Sequence, residues 1–392
     1  MTLKEIVVIS EKFFPEGGGA EIATKYLIDI FSSLNYKVIV ITGTPRPEKI
    51  LNVSFIYDPL FRTKKKLLIW LVSLMIPLIR SYFKKLVRKA YVLYIPGIAY
   101  TLIPLAKIIN KDVKIVVHLH NYQLLQYTQF IPAPYEKYIE YIGNPVIDYY
   151  MAKIEYGKML YGIVAAFFNI IIKVLCFFML QVDLIICPSR IQKNILSMFI
   201  SKIARKIIVI PNPYPNELTY ISPTTKTDIP TVVYLGGISR VKGFHIAFKI
   251  FNDLADEINF IGYICGIHLI TNVVKIKQKK GQVFLYPRIP HKEALGLLAR
   301  SWILLFPSII EEPYPYTLYE AICVGTIPVT LRLGVIGEIT DSSNKFIARY
   351  TSELKKILKN ILRMEKESLI AMSSNIKNIS YRYRYLDFKG IY

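Results

Sequence analysis

The sequence predicts an α/β protein made of two doubly wound parallel sheets, each in its own domain. With 392 residues, the chain is longer than one ordinary core requires. Short β-branched apolar runs alternate with segments of helical period, a pattern typical of parallel sheets covered by helices. The alternation stops at the Pro- and Thr-rich stretch 211–230 and then starts again. We therefore expect one sheet on each side of this stretch.

The apolar runs predict six strands before the Pro-rich stretch and five after it. The first six are Ile6–Ser10, Val38–Thr42, Tyr91–Ile95, Val113–Leu119, Leu184–Pro188 and Ile207–Ile210. The other five are Thr231–Leu235, Ile258–Cys265, Val283–Tyr286, Trp302–Pro307 and Ile327–Leu331. Ligands of doubly wound folds bind at the carboxyl ends of the strands, so a cleft between the two domains is the expected site.

The same pattern gives the domain boundaries. We expect an N-terminal domain over residues 1–215, a linker over 216–230 and a C-terminal domain over 231–370. We expect the remaining residues, 371–392, to form a tail that packs back on the N-terminal domain.

The charge balance indicates acidic partners. The chain has 50 Lys and Arg residues and 28 Asp and Glu residues, which gives a formal net charge of +22. Anionic lipid, nucleic acid and phosphorylated substrates all fit such a charge. The four cysteines form no CxxC pair and no metal-ligand spacing, and the apolar run at the N-terminus is too short for a signal peptide. We therefore expect a cytosolic protein.

One segment combines apolar and basic residues. Nine basic residues and no acidic one lie between Arg62 and Lys89, around the apolar run LLIWLVSLMIPLI. Past Pro77 the spacing is that of an amphipathic helix. Its apolar face consists of Ile79, Phe83, Leu86 and Ala90, opposite Lys84, Lys85, Arg88 and Lys89. We expect helices over 62–90 that contact an anionic membrane surface; the alternative is a solvated helix packed on its own domain.

A second apolar segment, over 160–181, contains IVAAFFNIIIKVLCFFML and is long enough to indicate a transmembrane helix. Asn169 and Lys173 near its middle argue against a span. A single crossing would also put the residues before and after it on opposite sides of the membrane, which would destroy a cleft that needs both halves. We expect a buried or interfacial helix here.

The stretch PEGGGAEIATKYL, Pro15–Leu27, places three glycines before a helix-like pattern. The dinucleotide fingerprint G-x-G-x-x-G fails, because Ile22 stands where the third glycine should be. The stretch instead predicts a flexible turn at Gly17–Gly19 and a helix that starts near Ala20. The first N–H groups of such a helix can bind an anion.

Two histidines alternate at the end of a predicted strand in VVHLHNYQLL. His118 and His120 therefore point to the same side of the sheet. His120 lies nearer to the carboxyl end, where ligands bind. A structural and a functional role for His120 both stay open.

In the second half, VVYLGGISRVKGFHIAFKIF combines a strand, Gly236 and Gly237, a turn with Arg240 and Lys242, and a helix. Backbone amides and positive charge at a strand-to-helix turn suit a diphosphate. Basic turns are common in a chain with this charge, so the motif alone is of moderate specificity.

Two glutamates follow in WILLFPSIIEEPYPYTLYEAICVGTIPVT. We expect Glu312 on a loop after a strand and Glu320 at the start of a helix, where acidic residues are ordinary caps. The loop between them follows the same sheet edge as the basic turn. We therefore expect the two glutamates and the turn to face each other across one site.

Taken in order, these motifs resemble family 4 retaining glycosyltransferases of the GT-B fold. The matching motifs are GG-x-E, H-x-H, D-x-I-x-x-x-S (Asp183–Ser189), IPN (Ile210–Asn212), K-G, and E-x7-E followed by EA-x-x-x-G-x-x-P-V. The resemblance extends from Ile6 to Glu338. It implies two Rossmann-like domains facing a central cleft, and a hexosyltransferase that moves a sugar from a nucleotide sugar with retention of anomeric configuration.

The resemblance also implies roles for the matching residues. Lys242 would bind the donor diphosphate and stabilise the charge on the leaving group. Glu312 would contact the transferred sugar, and Glu320 the ribose hydroxyls. His120 would lie near the reacting sugar, and Gly18 and Gly19 would approach the diphosphate or the acceptor. No metal and no cofactor is implied, which agrees with the lack of a D-x-D sequence.

Two departures from the family pattern concern the donor site. The family usually has an arginine where this chain has Gly237, and Arg240 is the nearest candidate to supply that charge. It usually has a glycine where this chain has Pro315. Because proline has no N–H group, phosphate contacts would fall to the amides of Tyr316 and Thr317.

Three other functions stay open. A nucleotide-sugar epimerase of the same fold would need further acid/base carboxylates. A nucleic-acid-binding protein would explain the charge, but no RRM, KH, zinc-finger or helix-turn-helix pattern is present. A non-catalytic membrane-surface protein would fit the two departures. We expect an enzyme without a nucleic-acid partner, peripheral on the inner face of the cell membrane, whose acceptor is a lipid-linked or membrane-associated glycan.

Overall fold

A computed structural model of the protein describes residues 4–63, 65–213, 226–276, 279–339 and 346–384. The chain divides into two compact units. The N-terminal unit comprises Met1–Ile131, Glu140–Tyr150 and Met159–Pro215, and the C-terminal unit comprises Pro132–Ile139, Met151–Lys158 and Asn216–Tyr392. Residues 216–225 of the predicted linker and residues 385–392 of the predicted tail lie outside the described residues.

The N-terminal unit contains a seven-stranded sheet in which all neighbouring strands are parallel. Its strands are β1 (Glu5–Ser10), β2 (Lys37–Thr42), β3 (Val53–Tyr57), β4 (Val92–Ile95), β5 (Lys114–His118), β6 (Leu184–Cys187) and β7 (Ile207–Val209). Their order in the sheet is β3-β2-β1-β4-β5-β6-β7. The sequence missed only β3, which lies at the sheet edge and is half-exposed, so its apolar pattern is weak.

The C-terminal unit contains a second seven-stranded sheet, in the order β10-β11-β9-β8-β12-β13-β14. Its strands are β8 (Thr231–Tyr234), β9 (Ile261–Cys265), β10 (Val274–Ile276), β11 (Gln282–Tyr286), β12 (Ile303–Phe306), β13 (Ile327–Leu331) and β14 (Ile347–Ala348). Only β10 runs antiparallel to its neighbour in the described sheet. The two strands that the sequence missed, β10 and β14, are short edge strands. The predicted class, α/β with two doubly wound parallel sheets, is confirmed.

Helices cover these sheets. In the first half of the chain they are α1 (Gly19–Ser33), α2 (Lys66–Ile79), α3 (Ser81–Lys89), α4 (Ile103–Ile109), α5 (Pro145–Tyr156), α6 (Met159–Phe168), α7 (Ile170–Phe178) and α8 (Arg190–Phe199). In the second half they are α9 (Phe244–Ala255), α10 (His291–Arg300), α11 (Tyr316–Cys323), α12 (Ile336–Ile339), α13 (Thr351–Leu362) and α14 (Lys366–Arg384).

The structure departs from the predicted boundaries in two places. The segments Pro132–Ile139 and Met151–Lys158 belong to the C-terminal unit, whereas the sequence predicts an unbroken N-terminal domain over 1–215. The amide of Ala133, for example, donates a hydrogen bond to the carbonyl of Ile309 at 2.9 Å. The predicted boundary between 370 and 371 falls inside α14, where the Ser373 hydroxyl donates to the Gly325 carbonyl at 2.5 Å.

The segment 62–90 is bent, so the prediction of one apolar face from Ile79 to Ala90 is wrong. The helices α2 and α3 meet at Arg80 with a bend of 83°. The Arg80 guanidinium lies 2.9 Å from the buried Asp58 carboxylate, and this pair holds the break in place. Phe83 is buried whereas Ile79 is 53% exposed, because Ile79 belongs to the helix before the break.

The parallel sheets bring the predicted site residues to their carboxyl edges. In the N-terminal unit, β1 ends just before the glycine-rich loop and β5 ends at His118. In the C-terminal unit, β8 and β12 are neighbours that end at Tyr234 and Phe306, before the basic turn and before the glutamate loop. Each unit thus collects its candidate residues at one sheet edge.

Candidate active site

The basic turn of the C-terminal unit depends on Gly237. Its φ of +64° is left-handed, which favours glycine, and its amide donates to the Cys265 carbonyl at 3.1 Å. A Cβ at this position would lie 3.2 Å from the Gly266 carbonyl oxygen. The backbone conformation of this turn therefore favours glycine at position 237, where the family resemblance implies an arginine.

Gly243 fixes the place of Lys242. Its φ is +81°, and a Cβ there would lie 2.1 Å from the Pro307 carbonyl oxygen. The glycine thus lets the turn lie directly against the loop that follows β12. Gly243 is also the N-cap of α9, so Lys242 stands immediately before that helix.

Lys242 and Glu312 meet across this contact. The Lys242 Nζ atom lies 2.5 Å from Glu312 Oε2. The Glu312 side chain is buried, and its other oxygen, Oε1, has no hydrogen-bond partner among the described residues. The expected approach of the turn and the glutamate loop is therefore observed. The pair offers a fixed cation beside a carboxylate oxygen that can accept a hydrogen bond from a hydroxyl.

Glu320 lies inside α11, and the prediction that it starts a helix is wrong. The helix begins at Tyr316, and Pro315, whose backbone is extended, is its N-cap. Tyr316 and Thr317 are the first two residues, and an α-helix leaves its first-turn N–H groups outside its own hydrogen bonds. Glu320 is buried one turn later, with Oε1 2.6 Å from His291 Nε2. His291 belongs to none of the motifs in the sequence.

Glu311 anchors the loop that carries Glu312. Its Oε1 accepts the amide of Tyr135 at 3.0 Å, and its Oε2 accepts the amide of Gly334 at 2.8 Å. Burial raises the pKa of Glu311 to about 7, while these two amides act in the opposite direction. The carboxylate thus joins three chain segments of the C-terminal unit around the glutamate loop.

The basic turn has an anchor of its own. Glu155 Oε2 accepts hydrogen bonds from the Ser239 hydroxyl at 3.0 Å and from the Val241 amide at 2.9 Å. Arg240 lies between these two residues and is exposed. Neither Glu155 nor Glu311 belongs to a motif in the sequence, and only their place in the fold identifies them.

The carboxyl edge of the N-terminal sheet presents two imidazoles, those of the buried His118 and the half-buried His120. The rings of His118 and His120 lie 4.1 Å apart, and His118 Nδ1 is 2.8 Å from the Tyr94 hydroxyl. Burial lowers the pKa of His120 to about 4 and also lowers that of His118. Both Nε2 atoms are buried without a hydrogen-bond partner among the described residues. His120 therefore presents a neutral imidazole, two residues beyond the strand, that can bind a hydroxyl.

The triple glycine differs from its prediction in one respect. Gly17 has a φ of +94°, and α1 begins at Gly19. The amide of Gly18 donates to Glu21 Oε2 at 2.7 Å, so the carboxylate of Glu21 takes the place that we expected for an anion. The glutamate of the GG-x-E motif thus caps the helix.

Two further motif residues make structural contacts within the N-terminal unit. The Asp183 carboxylate accepts the amide of Ile115 at 2.9 Å and pairs with Lys107. The Ser189 hydroxyl caps α8 by accepting the amide of Gln192 at 3.3 Å. Within the described ranges, no group of three or more His, Cys, Asp or Glu side chains is placed to hold a metal ion.

Comparison with known proteins gives a family match for part of the chain and a fold match for most of it. Residues 221–380 match the family described as glycosyl transferases group 1. No curated protein sequence matches the chain. Among solved structures, Anabaena Alr3699/HepE in complex with UDP and glucose is similar at a TM-score of 0.65, with 16% identity over 97% of this chain and 95% of that chain.

Two other structures are similar to about the same degree. The catalytic domain of starch synthase IV from Arabidopsis thaliana, bound to ADP and acarbose, has a TM-score of 0.60 with 12% identity over 99% of both chains. WaaG, a glycosyltransferase involved in lipopolysaccharide biosynthesis, has a TM-score of 0.57 with 14% identity over 96% of this chain and 95% of that chain. These likenesses confirm the predicted GT-B fold.

Proposed function

We propose that the protein is a retaining hexosyltransferase that uses a nucleotide-sugar donor, on the premise that residues 221–380 match the family described as glycosyl transferases group 1. The observation that supports this most strongly is the pair formed by Lys242 and Glu312, with the unpaired Oε1 of Glu312 beside it. A cation and a free acceptor at one sheet edge suit a diphosphate and the hydroxyls of a sugar.

Each candidate residue has a role in this proposal. Lys242 binds the diphosphate and stabilises the negative charge that develops on it as the bond to the sugar breaks. Arg240, on the same turn, adds a second positive charge, and the amides of Tyr316 and Thr317 bind phosphate oxygens. Glu312 Oε1 accepts a hydroxyl of the transferred sugar.

The remaining residues bind the nucleotide and the reacting groups. Glu320 accepts the ribose hydroxyls, in an orientation set by its hydrogen bond to His291. His120 donates a hydrogen bond to the reacting sugar from its neutral ring. Gly18 and Gly19 allow a substrate to approach the backbone, and Gly236 and Gly237 do the same for the diphosphate.

We propose a metal-independent reaction that needs no cofactor besides the donor. Solved GT-B structures that are similar to this chain contain UDP, UDP-glucose or ADP, which supports a nucleotide donor. The test is thermal stabilisation of the purified protein by UDP-, GDP- and ADP-glucose, with and without EDTA. One donor should raise Tm to the same extent in both conditions, since a ligand that binds only the folded state stabilises it. No shift with any of the three would contradict a glucosyl donor.

A large apolar surface of the N-terminal unit supports a membrane location. On α2, the exposed side chains are Leu68, Leu71, Leu74, Met75, Leu78 and Ile79. On α6 and α7, they include Leu160, Ile163, Phe167, Ile170, Val174 and Phe177. Beneath these side chains, the Tyr127 ring lies 6.0 Å from the buried Trp70 of α2 and 5.6 Å from the half-buried Phe168 of α6, so the two helices lie near each other. Exposed apolar side chains in such number on neighbouring helices are typical of membrane or protein contacts.

The strand order of the sheet supports contact with the membrane rather than a crossing of it. Among the described residues, the helical stretch Met159–Gln181 is long and apolar enough to cross a bilayer, as is the bent pair of α2 and α3 if it is taken as one span. Yet β5 precedes Met159–Gln181 and β6 follows it, and these strands pair in one sheet. A single crossing would separate them. In addition, the buried Asn169 donates to Asp148 at 2.6 Å, which holds the stretch on the unit.

We therefore propose that the protein binds the inner face of the cell membrane with α2, α6 and α7 lying in the plane of the interface. Basic side chains on α3 add attraction to anionic headgroups, at about 1 kcal/mol each. A lipid-linked or membrane-associated glycan is then the acceptor that this location supports. The involvement of WaaG in lipopolysaccharide biosynthesis is consistent with such an acceptor.

A further inference from the structure

The end of α5 lies against the basic turn, although the two are far apart in the sequence. Residues Met151–Lys158 are part of the C-terminal unit. A Cβ added at Gly157 would lie 3.7 Å from an Nη atom of Arg240, so the guanidinium lies beside this backbone. The chain segment therefore contacts the turn at two points, the Glu155 carboxylate and the Gly157 backbone.

The carboxylate of Glu155 holds the residues on both sides of Arg240. It accepts the Ser239 hydroxyl at 3.0 Å and the Val241 amide at 2.9 Å. The oxygen of the Ser239 hydroxyl in turn accepts the amide of Lys242 at 3.3 Å. Hydrogen bonds to a charged acceptor are stronger than those between neutral groups. Glu155 thus fixes the backbone of Lys242 through one intermediate side chain.

The turn also has hydrogen bonds that do not involve Glu155. The amide of Gly243 donates to the Arg240 carbonyl at 3.0 Å, and that of Phe244 donates to the Ser239 carbonyl at 3.1 Å. Loss of Glu155 should therefore leave the turn folded. Loss of Glu155 would remove the hydrogen bonds between α5 and the turn. It would also remove a negative charge that offsets the repulsion between Arg240 and Lys242.

We propose that Glu155 is a positioning residue for the donor diphosphate, which acts by holding Lys242 in line with Glu312. The inference rests on the proposed function. The alternative role for Glu155 is inhibitory: its carboxylate would occupy hydrogen-bond donors that a phosphate needs. If Glu155 were inhibitory, its removal would strengthen nucleotide binding, whereas a positioning role predicts weaker binding.

The experiment is calorimetric titration of the full chain with UDP, GDP and ADP. The variants are Glu155→Ala, Glu155→Gln and the control Glu140→Ala, an exposed carboxylate outside both anchors. For the nucleotide that the wild type binds, Glu155→Ala should raise Kd about tenfold. Glu155→Gln, which keeps an acceptor oxygen, should raise it less, and Glu140→Ala should leave it unchanged.

A double-mutant cycle separates positioning from general damage. If Glu155 acts through Lys242, then Glu155→Ala should change Kd little further in a Lys242→Ala background. An equal loss in both backgrounds, an unchanged Kd in Glu155→Ala, or tighter binding would each overturn the inference. Failure of the wild type to bind any of the three nucleotides would instead contradict the proposed function.

Discussion

The Lys242 ammonium lies 2.5 Å from the Glu312 carboxylate, on loops that follow two neighbouring parallel strands. Gly243 permits this approach, because any side chain there would collide with the Pro307 carbonyl. The anchors Glu155 and Glu311 hold the two loops from outside the pair. The site is therefore positioned before a ligand enters, as electrostatic stabilisation of a charged transition state requires.

Replacement of Glu312 by glutamine should separate catalysis from folding. Glu312→Gln keeps the size of the side chain but removes the charge that faces Lys242. We expect turnover to fall by about 100-fold, with Tm within a few degrees of the wild type. Glu365→Gln, at an exposed position, is the control. Steady-state kinetics and a melting curve for each variant test this, and full activity in Glu312→Gln would contradict it.

Replacement of His291 should affect nucleotide binding more than chemistry. The His291 ring holds the buried Glu320 carboxylate at 2.6 Å. His291→Ala should raise KM for the donor about fivefold through loss of this hydrogen bond, with kcat nearly unchanged. His291→Gln should recover part of the effect, and the exposed His268→Ala should show none. A fall in kcat at constant KM would argue against ribose binding by Glu320.

The buried histidines predict a loss of stability in acid. Burial lowers the pKa of His120 from 6.5 to about 4, so the unfolded state binds its proton first as the pH falls. Above about pH 6.5 His120 is neutral in both the folded and the unfolded state, so it does not reduce the free energy of unfolding. As the pH falls from there towards 4, protonation of the unfolded state lowers that free energy. His120→Gln should therefore show a smaller fall in Tm between these pH values. Parallel Tm profiles for the two proteins would contradict this.

Charges on the apolar surface should release the protein from membranes. Leu71 and Phe167 are 55% and 72% exposed on α2 and α6. The double variant Leu71→Asp/Phe167→Asp should lower the fraction that floats with phosphatidylglycerol vesicles at least about tenfold. Leu51→Asp, at a position that is 83% exposed in a loop outside these helices, should not. Equal flotation of both variants would rule out this surface.

The sequence was sufficient where short-range patterns determine the structure. Every strand predicted from a β-branched run exists, and the order of the motifs placed Lys242 and Glu312 at one edge. The prediction succeeds because the carboxyl ends of parallel strands, and the loops that follow them, lie at the same edge of the sheet.

The rest depends on contacts between distant parts of the chain. Nothing near Glu155 in the sequence indicates that it binds Ser239 and Val241, which follow more than eighty residues later. The break between α2 and α3 at Arg80 depends on the ion pair of Arg80 with Asp58. Helical periodicity alone does not reveal this break. The glycine spacing predicts an anion near Gly18, because spacing alone does not show that the Glu21 side chain accepts the Gly18 amide.

The most direct test of the central claim is transfer by the wild type and by Lys242→Ala. Sugar transfer from UDP-, GDP- or ADP-glucose to native membranes would be measured for both proteins, with the exposed Lys249→Ala as control. We predict transfer by the wild type and by the control, and a loss of at least about 100-fold in Lys242→Ala at unchanged Tm. Wild-type protein that transfers sugar from none of these donors, or equal transfer by Lys242→Ala, would contradict the account.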